Sequence, residues 1–256
     1  MDFKEKIKQI KPFIISTLTI SSVILLIGTA HKWCKFRNIF SLDRVSVSGC
    51  YVLTEKDVVQ KIDPIIKGKA IQNIPLKKAQ KKLVEMPYIK TANVIKSFPS
   101  RIHIQIFERS PLSYFIVNGK NHMIDQNGIL LPVPDNSLNK NLPIISGHPI
   151  DSLPQPGEKI SDSNILSSVK LIAEIKSNVP GIYSKISDLH YRENKSDYVL
   201  YLNSNTKILL GHNNLQKKLN ALLHFTQQLP NDILLAKYKY LDLRWKKQIV
   251  VKEKRT

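Results

Sequence analysis

The chain opens with one long apolar run, and the residues after it alternate between hydrophobic and polar in the manner of a globular protein. Residues 13–30 hold eighteen positions without a charge, and a helix of that length rises about 27 Å, close to the hydrocarbon thickness of a bilayer. The apolar residues form no stripe, which argues against a buried core helix. A cleavable signal peptide is the other alternative, because a peptidase could cut at the small residues Gly28-Thr29-Ala30. The apolar core of a signal peptide is, however, shorter than this run. We therefore predict an uncleaved transmembrane helix at 13–30, behind a head at 1–12.

The charges beside this run give only a weak signal for orientation. Four basic residues stand on each side of it: Lys4, Lys6, Lys8 and Lys11 before, and Lys32, Lys35, Arg37 and Arg44 after. Short heads usually stay in the cytoplasm, whereas long domains cross the membrane largely regardless of their charge. We therefore expect a single-pass inner-membrane protein with a cytoplasmic N-terminus and periplasmic C-terminal domains.

Between residues 42 and 110 the pattern reads strand, helix, helix, strand, strand. A capping box at Thr54 opens the first helix, which we expect Pro64 to end, and Pro75 suits the first position of the second helix. Period-two alternation predicts strands near 45–49, 88–96 and 101–107. Two helices on one face of a small sheet would provide a sufficient core for this domain.

Residues 111–252 carry the pattern of a β-rich domain with two helices, and 253–256 form a tail. The helices are expected at 162–177 and at 214–229, the second capped by Asn213. Asn118-Gly119 is typical of a hairpin turn, and the proline-rich stretch 134–160 is expected to be a surface loop. Strands are predicted at 114–117, 122–125, 129–133, 186–192, 197–203, 206–211, 238–245 and 248–252. The fold class predicted for the whole chain is α+β.

The strongly basic composition narrows the classes of partner. The formal net charge is +19, which is often the footprint of a nucleic-acid-binding protein. For domains outside the membrane, anionic lipid head groups, acidic wall polymers or an acidic protein partner are better explanations. Alternatively, lysine simply fills exposed positions. We expect no nucleic acid and no small-molecule substrate.

No motif for catalysis or for metal binding is evident. The sequence lacks the histidine and cysteine pairs of metal sites, a nucleophile elbow and a glycine-rich phosphate loop, so we expect no enzyme, no cofactor and no metal. The last predicted strands offer a different feature, since apolar alternation there joins Trp245 and a dense basic cluster. Such an edge can accept a strand from another chain. The alternative is that Trp245 packs on its own sheet while the lysines discourage edge pairing.

Several short motifs share an order and spacing that is specific in combination. They are Val45-Ser-Val-Ser-Gly49, Met86-Pro-Tyr-Ile-Lys-Thr-Ala-Asn-Val94, Phe98-Pro-Ser-Arg-Ile-His-Ile104, Glu108-Arg-Ser-Pro111, Ile124-Asp-Gln-Asn-Gly128, Leu142-Pro-Ile-Ile-Ser-Gly147, Leu210-Gly211 and Asp242-Leu-Arg-Trp245. Together they resemble the FtsQ/DivIB family of bacterial cell-division proteins over about residues 40–252. Tyr88 stands where the family usually has Trp, and Trp245 where it commonly has Tyr.

The resemblance implies a POTRA domain at 42–110, a β domain at 111–252 and a non-enzymatic role. Family members are scaffolds that hold an FtsB–FtsL pair upstream of septal wall synthesis, and their last strand receives a strand from FtsB. The partner-binding residues implied here are Arg244, Trp245, Lys246, Lys247, Gln248, Ile249, Val250, Val251 and Lys195. The competing classes are a POTRA-containing envelope assembly or secretion factor and a membrane-anchored cell-wall enzyme.

Overall fold

The computed structural model describes residues 3–117, 120–134, 141–149, 152–229, 232–246 and 248–254. The chain divides into two compact units, which are described separately. The first comprises Met1–Leu83 and Thr91–Ile106, and the second comprises Val84–Lys90 and Phe107–Thr256. The predicted α+β class is confirmed.

The apolar run lies within one long helix, α1 (Phe3–Phe36). Within it, Ile15–Phe36 is long and apolar enough to cross a membrane, and none of that window is buried in the structure. Two residues after the helix, Asn38 is left-handed with φ of 52°, and the Ile39 N–H donates to the Cys34 carbonyl at 3.1 Å. This closing geometry is typical of a helix C-terminus.

The first unit has the predicted order of elements: β1 (Arg44–Ser48), α2 (Glu55–Ile66), a 3₁₀ turn (Ile71–Asn73), α3 (Leu76–Val84), β2 (Ile89–Ser97) and β3 (Arg101–Glu108). The sheet order is β1-β3-β2, with β1 parallel to β3. The alternation predicted for β3 is confirmed, because Ile102, Ile104 and Ile106 are buried and their neighbours are not.

Helix α2 begins as predicted but does not end at Pro64. Thr54 and Asp57 exchange both hydrogen bonds of a capping box. The helix then continues through Pro64 to Ile66, and the Lys67 N–H donates to the Asp63 carbonyl at 2.9 Å. A proline removes one hydrogen bond at a cost of about 3 kcal/mol. Burying Ile65 and Ile66 contributes about 1.5–3 kcal/mol each, which is enough to keep the last turn.

The second unit is built around one large sheet and three helices within the described residues. Its strands are β4 (Pro111–Val117), β5 (Lys120–Asp125), β6 (Leu130–Leu131), β7 (Ile144–Ser146), β8 (Ile186–Arg192), β9 (Asp197–Leu202), β10 (Lys207–Gly211), β11 (Tyr238–Asp242) and β12 (Val250–Glu253). Its helices are α4 (Ser163–Asn178), α5 (Pro180–Tyr183) and α6 (Leu215–Gln228), with 3₁₀ turns at Glu193–Lys195 and Asp232–Lys237. The sheet order is β12-β11-β10-β9-β8-β7-β4-β5-β6. Buried residues of α4 and α6 pack with those of the strands in one hydrophobic core.

The expectation that 134–160 is a surface loop is wrong at its centre. Residues Ile144–Ser146 form β7, which pairs in parallel with β4 on one side and β8 on the other. Ile145 is fully buried. A three-residue strand between prolines carries too little alternation to be recognised, and its identity depends on two partners distant in sequence.

Asn213 does not cap α6, which begins at Leu215 after Asn214 in a left-handed conformation, without a side-chain cap hydrogen bond. The left-handed backbone of Asn214 turns the chain into the helix, at the point where we expected the side chain of Asn213 to cap it. The hairpin predicted at Asn118-Gly119 lies outside the described residues.

Candidate protein-binding edge

Strand β12 forms one end of the large sheet. It pairs antiparallel with β11, with Leu241 opposite Val251 and Asp242 opposite Val250, and no described strand lies on its other side. Val250 and Val251 are 38% and 39% exposed. An edge of this kind presents backbone N–H and C=O groups that a strand from another chain can pair with.

The predicted site residues fall on the loop before β12 as well as on the strand. Strand β11 ends at Asp242 and β12 begins at Val250, so both strands are shorter at this connection than the predicted 238–245 and 248–252. Arg244, Trp245, Lys246, Gln248 and Ile249 therefore lie in a connecting segment between the two strands. Trp245 is 59% exposed. Lys247 lies outside the described residues.

This connecting segment and α6 enclose a groove of about 860 Å³. Its cationic residues are Lys217, Lys218, Arg244 and Lys246, with His224 beside them, and its large apolar residues are Phe225, Leu243, Trp245 and Ile249. None of the described residues that line it is acidic. The groove therefore combines apolar surface with positive charge, which suits an acidic amphipathic polypeptide.

Arg244 is held by a carboxylate of its own chain. Its Nε donates to Asp242 Oδ1 at 2.8 Å, its Nη2 donates to Oδ2 at 2.6 Å, and its backbone N–H donates to Oδ1 at 3.0 Å. The Asp242 side chain is only 8% exposed, whereas that of Arg244 is 41% exposed. The Arg244 side-chain hydrogen bond is the main reason that the pKa of Asp242 lies below its usual value. The pair fixes the guanidinium at the mouth of the groove.

A glycine makes room for this arrangement. Gly211 has φ of +70°, and a Cβ placed on it would lie 3.2 Å from Arg244 Cγ and 3.2 Å from Lys218 Nζ. The Lys218 ammonium donates to the Leu210 carbonyl at 2.6 Å, and burial lowers its pKa. Sequence reasoning matched Leu210-Gly211 as a motif but missed Lys218, because a lysine on an amphipathic helix normally belongs to its solvated face.

Lys195 lies at the same end of the sheet as Arg244. It belongs to the 3₁₀ turn between β8 and β9. At this end Tyr198 of β9 pairs with Gly211 of β10, and β10 runs parallel to β11. The same turn is braced by Arg192, whose Nε and Nη2 donate to Asp197 at 2.7 and 2.6 Å. The topology thus places Lys195 and Arg244, which are about fifty residues apart in sequence, at the same end of the sheet.

One cluster in the second unit contains the residue types of a hydrolase triad in a different geometry. The Ser146 hydroxyl lies 2.8 Å from Asp188 Oδ1 and 2.9 Å from His190 Nδ1. In a triad the carboxylate orients the histidine, whereas here it contacts the serine. Among the described residues, no group of His, Cys, Asp and Glu could hold a metal ion.

Comparison with known proteins identifies the family. The model described as "FtsQ/DivIB, C-terminal related" matches residues 110–252, more than half of the chain, and "POTRA domain, FtsQ-type" matches residues 40–109. DivIB of Bacillus cytotoxicus is 27% identical over 81% of this chain and 79% of its own length. FtsQ of Coxiella burnetii is 23% identical over 98% and 94%. FtsQ of Koribacter versatilis is 30% identical over 46% of this chain, and the match spans 33% of that relative. With a candidate membrane helix near its N-terminus, a POTRA domain and a β-rich C-terminal region, the chain belongs to the FtsQ/DivIB family of cell-division proteins.

Proposed function

We propose that this chain is a non-enzymatic scaffold at the division site that recruits and connects other division proteins upstream of septal wall synthesis. Its partner is an FtsB/FtsL-type complex, which it binds by accepting a strand on β12. The head is cytoplasmic and both folded domains lie in the periplasm. The observation that carries the proposal is an exposed end strand beside an apolar and cationic groove.

Backbone pairing would set the register of the bound strand. The Lys254 N–H donates to the Lys237 carbonyl of the neighbouring segment at 2.8 Å. Because successive residues of a strand direct these groups to opposite sides, the N–H and C=O of Lys252 point to β11, and those of Val251 and Glu253 point away from the sheet. Val251 is therefore the central backbone contact for an incoming strand.

Side chains beside the strand would select the partner. Trp245 offers a large exposed aromatic surface, and aromatic residues are frequent anchors of interfaces. Arg244 keeps N–H groups that Asp242 does not use, and these can donate to a partner carboxylate. Lys195, Lys246 and Lys247 add positive charge, while Gln248 and Ile249 lead into the strand.

The first experiment tests the backbone contact. The full chain in detergent or nanodiscs is used to capture an FtsB–FtsL-type complex from solution. We expect Val251→Pro to abolish capture, because it removes the outward N–H, while Val251→Ala keeps that N–H and retains capture. Circular dichroism checks that the overall fold of the proline variant is retained, and unchanged capture by this variant would refute strand addition.

The second experiment separates the contact made by Arg244 from its structural role. Arg244→Glu is expected to weaken capture by about 2–5 kcal/mol, far more than Lys252→Glu. Since Arg244 also holds Asp242, the matched control is Asp242→Asn, which removes the carboxylate and keeps the guanidinium. If Asp242→Asn weakens capture as much as Arg244→Glu does, the local pair rather than a partner contact explains the loss.

Localisation and orientation are tested independently. A fluorescent fusion should gather at midcell in dividing cells, whereas a uniform envelope signal would favour an assembly or secretion factor. Protease added to spheroplasts should digest both folded domains and leave the head intact. Protection of the domains would overturn the assigned orientation.

A further inference from the structure

Positive charge in the first unit is concentrated in two segments, one at the end of α1 and one that runs into α3. Residues 31–42 contain three basic side chains and no acidic one, and residues 67–84 contain six lysines and no acidic residue. The proposed edge strand belongs to the other unit, so the docking role leaves this charge unexplained. Five of these residues are named here the juxtamembrane lysine face: Lys67, Lys69, Lys77, Lys78 and Lys81.

Backbone hydrogen bonds join the two segments just after the helix end. The Ile71 N–H donates to the Phe40 carbonyl at 2.8 Å, and the Leu42 N–H donates to the Lys69 carbonyl at 3.4 Å. Ser41 and Ala70 form an antiparallel bridge between these bonds. Since a residue spans at most about 3.6 Å, Phe40 lies within about 14 Å of Phe36. The lysine segment is therefore attached close to the end of α1.

Two aromatic residues mark the level of the membrane surface along α1. Trp33 is 59% exposed and Phe36 is 82% exposed at the end of the candidate span. Trp in particular is enriched at the interface between hydrocarbon and water. Head groups begin at that level, and the potential of an anionic surface extends about a Debye length, roughly 8–10 Å, beyond them. The segment around Lys69 therefore lies where that potential acts.

The lysines of α3 are available for such an attraction. Ala79 and Leu83 are buried on the opposite side of this helix, whereas Lys77, Lys78 and Lys81 are exposed. Among the described residues, no carboxylate lies within ion-pair distance of these three. Lys67 contacts Asp63 at 3.6 Å, but its side chain is 80% exposed. Their charge is therefore little compensated within the unit.

We propose that the juxtamembrane lysine face binds the anionic phospholipid head groups of the bilayer that α1 crosses. The ligand is the phosphate layer of that membrane, because backbone hydrogen bonds attach the segment that carries these lysines next to the end of α1. Several lysines acting together on a lipid surface need no shaped pocket, which fits an exposed face on a short helix. Binding holds the first unit at the membrane surface and gives a role to charge that the edge strand does not use.

The test measures the reactivity of each lysine in the full chain. The protein is placed in nanodiscs of phosphatidylcholine alone or with phosphatidylglycerol, and acetylation rates are read by mass spectrometry. We expect Lys67, Lys77, Lys78 and Lys81 to react about fivefold more slowly with anionic lipid, and the difference to vanish at 1 M salt. Exposed lysines of the second unit, Lys170 and Lys239, serve as internal controls with unchanged rates.

Two variants decide the outcome without involving division partners. Lys77→Glu/Lys78→Glu should remove the lipid-dependent protection of Lys81, whereas Lys77→Arg/Lys78→Arg should keep it. Equal reactivity in both kinds of nanodisc would overturn the proposal. So would protection that arises only when a soluble acidic protein is added, which would make the face a protein-binding surface.

Discussion

Replacing Arg244 with alanine should destabilise the second unit even when no partner is bound. In the folded chain this side chain makes a two-point contact with Asp242, with donor–acceptor distances of 2.8 and 2.6 Å. The variant leaves a carboxylate that is 8% exposed without its charged donor. An unpaired buried charge is costly because neither water nor a counter-charge compensates for its desolvation.

The size of the effect follows from the exposure of the two partners. Breaking a fully buried ion pair costs about 3–5 kcal/mol, whereas exposed pairs contribute about 0–1 kcal/mol. The Arg244 side chain is 41% exposed, so solvent screens part of the interaction. We therefore expect the free energy of unfolding at pH 7 to fall by about 1–2 kcal/mol.

The pH dependence gives this prediction a second readout. The pKa of Asp242 is lowered in the folded chain, chiefly by the Arg244 hydrogen bond. Its contribution to stability is therefore present above the unfolded pKa of about 3.9 and is lost as pH falls through the lower folded value. In Arg244→Ala that contribution should be reduced, so the two proteins should differ at pH 7 and the difference should shrink as the pH falls below the unfolded pKa of Asp242.

Urea unfolding of the full chain in nanodiscs, followed by tryptophan fluorescence and circular dichroism, measures both effects. The matched control is Lys246→Ala, which removes an exposed neighbouring cation and should change the free energy by no more than about 0.5 kcal/mol. Equal destabilisation by the two variants, or a loss for Arg244→Ala that does not depend on pH, would refute this account of the pair.

Three further substitutions test the second unit by urea unfolding. Ile145→Ala removes a fully buried side chain from the central strand β7 and should cost about 2–5 kcal/mol; a cost below 1 kcal/mol would mean that β7 is not central. Gly211→Ala forces a side chain onto a backbone with φ of +70° and against Arg244, so we expect a loss of about 1–2 kcal/mol, and no loss would contradict that geometry. Tyr88→Phe removes the hydroxyl that donates to the Pro132 carbonyl and should cost about 1 kcal/mol. Burial raises the pKa of Tyr88 to about 12, against about 10 in the unfolded chain, so this cost should stay constant well below pH 10 and fall as the pH rises above it.

The first domain was predictable because its signals are local. The capping box at Thr54, the alternation along β3 and the apolar face of α3 each lie within about ten residues, and each is present in the structure. The failure at Pro64 shows the limit of such rules. A proline penalises the helix locally, but burial of Ile65 and Ile66 depends on a sheet that lies elsewhere in the chain.

The second domain was less predictable because its sheet is assembled from distant segments. β7 is only three residues long, and nothing in that short sequence distinguishes it from a loop. Its place is set by pairing with β4, which ends at Val117, and with β8, which begins at Ile186. Each of these strands lies more than twenty-five residues from β7 in the sequence. Strand identity there is a property of the partners rather than of the residues themselves.

The candidate edge could be predicted in part from local sequence, while the rest depends on contacts that appear only in the folded chain. Trp245 and the basic cluster could be recognised from composition, and the family resemblance pointed to the last strand. The resemblance implies only that Arg244 contacts a partner, whereas in the structure Asp242, two residues earlier, already binds its guanidinium. A partner carboxylate that approaches Arg244 therefore meets a guanidinium whose orientation is fixed and whose charge is partly neutralised. Arg244 would therefore select a partner by the geometry of the contact rather than by long-range electrostatic attraction. That attraction would have to come from the more distant cations Lys195, Lys217 and Lys246.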